Sequence, residues 1–103
     1  MYMLTKKQKA QIRQFASEAH DRELTDALTT LYEEFQLWGG DQISAFELQE
    51  KIHIFHDGIS RDLYKRYVMG NLELAVVYAL NHGVLNQDEV GEDIAKALGV
   101  APE

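Results

Sequence analysis

The sequence predicts an all-α fold, a compact bundle of five or six helices. Three observations predict it. Apolar residues recur at helical spacing along most of the chain. Glycine falls where helices end rather than inside them. No stretch sustains the two-residue alternation of a half-buried strand. The expected helices are about 5–20, 22–38, 45–57, 61–69, 72–82 and 87–98, within one domain spanning 1–103.

The first helix opens at Thr5, with Gln8 three residues on, the spacing of a capping box. Ile12, Phe15, Ala16 and Ala19 follow at helical spacing. The run His20-Asp21-Arg22-Glu23 is fully polar, so it reads either as a break or as an exposed turn of one longer helix. Leu24, Ala27, Leu28, Leu31, Phe35 and Trp38 then continue the period until Gly39-Gly40. Ser44 and Glu47 form a second capping box, with Ile43 and Leu48 placed as a hydrophobic staple. Leu48, Ile52, Phe55 and Ile59 make a narrow apolar stripe that Gly58 is expected to stop. Ser60 is expected to cap 61–69, which Gly70 closes. Asn71 caps 72–82, and Asn86 or Asp88 starts the last helix. From Leu72 to Leu80 only Glu73 is charged, so 72–82 is expected to be the buried centre of the bundle.

Composition narrows the function classes. The 103 residues carry a net charge of −7, unevenly spread. Residues 1–19 have a balance of +3, whereas 20–60 hold nine acids against two bases. Such a chain repels phosphate backbones, which disfavours nucleic-acid binding. There is no cysteine, which excludes disulfides, thiolate metal sites and a cysteine nucleophile. No apolar run is long enough to span a membrane. The apolar start turns at once to Thr5-Lys6-Lys7, the reverse of a signal peptide. These features lead us to expect a cytoplasmic protein.

No phosphate loop, nucleophile elbow or H-E-x-x-H motif is present, so the sequence offers no catalytic residue and implies no cofactor. Its densest functional group is Glu47, Glu50, His53, His56 and Asp57. Glu50 and His53 stand at the i,i+3 spacing that aims two ligands at one metal, and His53 and Asp57 are i,i+4. Glu50, His53 and Asp57 are therefore candidate metal ligands, although only one such motif occurs and its members drift around the helix. His56 is also expected to pack at the edge of the core stripe. His56, Asp57, Arg61 and Tyr64 bracket an expected tight interhelical turn and are candidate ligand-binding residues. In the plainer reading the arginines pair with nearby acids and the tyrosines cover the core. Phe46 and Ile54 fall opposite the 48–59 stripe and, with Trp38, are candidate interface residues.

The favoured function is a small interaction module without enzymatic activity, homodimeric or binding another protein. One alternative is a metal- or small-ligand-binding protein or an enzyme, using Glu50, His53, His56 and Asp57 at the helix end with Arg61 and Tyr64. Another is an acidic inhibitor or nucleic-acid mimic of a basic partner.

Overall fold

A computed structural model describes residues 3–100. The fold is all-α, 81% helical, and no strand occurs among the described residues. Helix α1 (Lys6–Gly39) is followed by α2 (Ala45–Phe55), a π-helical turn (His56–Ser60), α3 (Arg61–Tyr64) and a second π-helical turn (Lys65–Met69). Then come α4 (Leu72–Asn81), α5 (Gln87–Val90) and α6 (Glu92–Ala97).

Residues 6–39 form one helix, not two. At about 1.5 Å per residue its 34 residues run roughly 51 Å, close to the 56 Å long axis of the molecule. The polar run His20–Glu23 does not break α1, because three of its four side chains face neighbours. His20 stacks on Tyr67, Arg22 binds Glu89, and Glu23 receives Tyr67 and Arg66.

The second correction concerns 45–57 and 61–69, which are one continuous helical run. Gly58 does not stop it and Ser60 does not cap: Ser60 has helical dihedrals and makes no capping hydrogen bond. The π turn at His56–Ser60 absorbs the glycine. It also resets the register. An unbroken α-helix would carry Leu63 about 80° away from the direction of Phe55. The wider π turn winds less per residue and returns Leu63 and Tyr67 toward the core. Gly70 then ends the run. A Cβ there would sit 2.9 Å from the Lys65 carbonyl oxygen and 3.0 Å from that of Arg66.

The third correction is at 87–98. Gly91, at φ 91° and ψ 156°, lies in a region only glycine occupies readily, and it splits the segment into α5 and α6. The capping predictions at Thr5, Ser44 and Asn71 hold, and of the two starts offered for the last helix, Asn86 and Asp88, it is Asn86 that caps. Thr5 and Ser44 close full capping boxes, Asn71 caps α4, and Asn86 with Glu89 caps α5.

The core sits at one end. Ile12, Ala16 and Ala19 of α1 pack with Leu63 and Tyr67, with Ala75, Val76 and Ala79 of α4, and with Leu85, Val90 and Ile94. Helix α4 packs Ala75, Val76 and Ala79 into this core, as expected of a central helix, but it keeps one open side, where Leu74 is 66% exposed. A polar clamp ties this end together. Arg22 Nη1 donates to the Val84 carbonyl (2.8 Å) and to Glu89 Oε2 (3.0 Å). Its Nη2 donates to Glu89 Oε1 (2.6 Å) and Glu18 Oε1 (3.2 Å). Glu89 also accepts from the Asn86 backbone N–H at 3.0 Å. The Arg22 bond, followed by that backbone bond, holds the Glu89 carboxyl below its ordinary pKa. Nearby, the Tyr67 hydroxyl donates to Glu23. Burial first, and the adjacent Glu23 second, push the Tyr67 pKa up.

Candidate functional site

Beyond the core, α1 and α2 run on as a two-helix hairpin. Between residues 24 and 59 only Leu48 is buried. Leu24, Leu28, Leu31, Phe35 and Trp38 are spaced 4-3-4-3, and Ala45, Leu48, Ile52, Phe55 and Ile59 are spaced 3-4-3-4. Both series have the a/d repeat of helices that pack on other helices. At about 100° per residue the α1 series covers an arc of about 80°. Its centre is turned about 110° from the Ile12, Ala16 and Ala19 face that meets the core. Leu24 still packs against the core, and from Leu28 onward the hairpin seam is a surface of its own.

That seam is only half covered. Leu28 is 46% exposed, Phe35 40%, Trp38 46%, Ile52 39% and Ile59 42%. A groove of about 420 Å³ runs between the two helices, lined by Ala27, Leu31, Ile54, Phe55 and Ile59, with Glu34 and Lys51. Two helices alone cannot enclose such residues. In a four-helix bundle the equivalent positions form the interior.

The residues singled out from sequence fall differently. His53 Nε2 lies 3.0 Å from Asp57 Oδ2, and His56 Nδ1 lies 3.4 Å from Asp57 Oδ1. All three side chains are open to solvent, so His56 is not packed against a core as expected. The stripe beside it belongs to the hairpin seam instead. Among the described residues no group of three or more His, Asp or Glu side chains has the arrangement to hold a metal ion. Asp57, Arg61 and Tyr64 do not bracket an interhelical turn, since the chain stays helical through 56–64. They lie exposed along one helical run. Arg66, not Arg61, makes the ion pair with the acidic segment, at 3.4 Å from Glu23. Arg66 also stacks 3.9 Å over the Tyr78 ring.

The three candidate interface residues are all exposed: Trp38 at the hairpin end, Phe46 at 83% and Ile54 at 57%. Leu28, Phe35, Ile52 and Ile59 are part of the apolar periods read from sequence but are not among the candidate interface residues, although their heptad spacing is a readable signal. A second hollow, of about 410 Å³, adjoins the clamp and is lined by Arg22, Glu23, Asp26, His82, Gly83 and Val84. Its arginine is already held by Glu18 and Glu89. Among the described residues no helix is long and apolar enough to cross a membrane. Comparison with known proteins finds no matching family model, no similar curated protein and no similar solved structure.

Proposed function

We propose that this protein is an interaction module that docks a protein partner on the apolar face of its helical hairpin. The observation that carries the reading is the half-exposed seam. Five large apolar side chains at heptad spacing stand 39–46% open, away from the only extended core among the described residues. A scattered exposed leucine needs no explanation, but a contiguous patch of this kind marks a contact surface. The base, with its closed core and Arg22 clamp, acts as the platform that holds the hairpin out.

Photo-cross-linking in the native cell tests the reading. A benzophenone side chain replaces Tyr32, on the hairpin, or Lys96, on the base. A protein adduct is expected from position 32 and not from position 96, and Phe35→Glu should abolish it. Adducts only from position 96, or none from position 32, would refute hairpin docking.

A further inference from the structure

We infer that the partner seated on the hairpin is a second copy of this chain, the two hairpins packing face to face as an intermolecular four-helix bundle. This deepens the docking reading above and rests on it. Three features of the hairpin select a second copy over other occupants.

The first is the pattern. Both helices present a/d series, and both series are left half covered. The surface that completes two such helices is another pair with the same repeat. The remaining helices of this chain cannot supply it. Helix α4 and the α5–α6 segment are committed to the core at the far end of α1, around Val76, Leu85 and Ile94.

The second is charge. The chain is strongly acidic, yet its acids avoid this face. Asp26 and Glu33 on α1, and Glu47 and Glu50 on α2, all lie about 120° or more from the centre of the stripe on their own helix. Only Glu34 and Lys51, one of each sign, flank the seam at the groove. A basic partner would find no carboxylate cluster to grip here. Two copies of a −7 chain can approach through a neutral face without bringing their acids together.

The third is area. An aromatic side chain presents about 150–250 Å² and an aliphatic one somewhat less, so at the observed exposures the five seam residues leave roughly 400–500 Å² of apolar surface. Contributed twice, with its polar flanks, that approaches the roughly 1,200–2,000 Å² of a stable interface. A two-fold axis through the face makes each copy's stripe the partner of the other.

Sedimentation velocity on the purified full chain, from about 1 to about 300 µM, tests the inference. The wild type should pass from monomer to dimer within that range, with a blue shift of Trp38 emission on the same concentration scale. Leu28→Glu with Ile52→Glu should weaken dimerisation at least about tenfold, at unchanged helical content by circular dichroism. Phe46→Glu, off the stripe, should dimerise like the wild type. Association should hold or tighten as salt rises, because screening relieves the repulsion between two acidic copies. A wild type that stays monomeric throughout overturns the inference, as does a dimer that the double substitution leaves unchanged. A monomeric protein that still gives the position-32 adduct in cells sinks the second copy and leaves hairpin docking standing. Loss of that adduct as well sinks both.

Discussion

Replacing Arg22 by methionine should cost this protein most of what joins its long helix to the α4–α5 connection. Methionine keeps the apolar stem and removes the guanidinium, which makes two bonds to Glu89 and one to the Val84 carbonyl. Hydrogen bonds to charged groups contribute about 1.5–3 kcal/mol when well formed. Solvent reaches this pair, the side chains being 40% and 26% exposed, so screening lowers the coupling to about 1–2 kcal/mol. With an unfolding entropy of about 2.1 cal/mol/K per residue, that corresponds to a drop in Tm of about 5–9 °C. A double-mutant cycle with Glu89→Gln in urea isolates the pair, since glutamine keeps an acceptor for the Asn86 cap. The sign with pH is fixed by the lowered Glu89 pKa. Stability from the pair is present above the ordinary carboxyl value of 4.5 and is lost as pH falls through the lower folded value. A coupling below about 0.3 kcal/mol would show that the clamp behaves as an ordinary surface ion pair, and one unchanged on acidification would show that it does not depend on the Glu89 charge; either refutes the reasoning.

Three further outcomes follow from the same geometry. Leu63 is fully buried, so Leu63→Ala should cost about 2–5 kcal/mol in chemical denaturation; a loss under about 1 kcal/mol would mean that the π turn does not aim it into the core. Gly91→Ala forces a side chain onto φ 91° and ψ 156° and should destabilise by about 1–3 kcal/mol, read as a lower Tm, although nothing lies within 4 Å of the new Cβ. Tyr67 has a raised pKa, so its stabilisation is complete below its ordinary value of 10.0 and is lost as pH rises beyond it; alkaline titration of stability should therefore be flatter in Tyr67→Phe than in the wild type, and parallel curves would count against the burial of the hydroxyl and its bond to Glu23 together.

What could be read in the sequence was the local chemistry. A capping box is settled within four residues, so Thr5 and Ser44 mark their helices from sequence alone, and Asn86 is one of the two starts that the sequence offers for the last helix. What could not be read was which polar or flexible residue had a distant partner. The run His20–Glu23 looks like a solvated break because its partners, Tyr67, Arg66 and Glu89, lie more than 40 positions away. Gly58 looks like a stop because glycine commonly follows a helix C-terminus, yet inside a helix it costs only about 1 kcal/mol, a penalty that packing on either side overrides. The stripe at Leu48, Ile52, Phe55 and Ile59 looked like core for the opposite reason. Periodicity reports that a face is apolar, not whether the same chain covers it. That ambiguity also divides the candidate sites: the polar candidate residues at 50–64 lie off the seam, whereas Trp38 stands on it and Ile54 lines its groove.

The geometry of α1 explains why the covering is incomplete. The apolar direction of this helix turns by about 110° between Ala19 and Leu24. One straight helix therefore serves two surfaces, and the polar run at the change of face is where both α4–α5 and the second π turn attach. The C-terminal helices can reach only the first surface. Asn71, Gly83 and Gly91 turn the chain back within a few residues each time, so α4 to α6 fold tightly around Ile12, Ala16 and Ala19. Extending them to the hairpin would require giving up the turns that close the core. The π turn at His56–Ser60 makes the same division on the returning strand of the hairpin, passing from a seam register at Phe55 to a core register at Leu63. Both long helical runs thus change allegiance at the same level of the molecule. A chain built only for its own core would have had no need to keep a heptad repeat beyond that level on both helices.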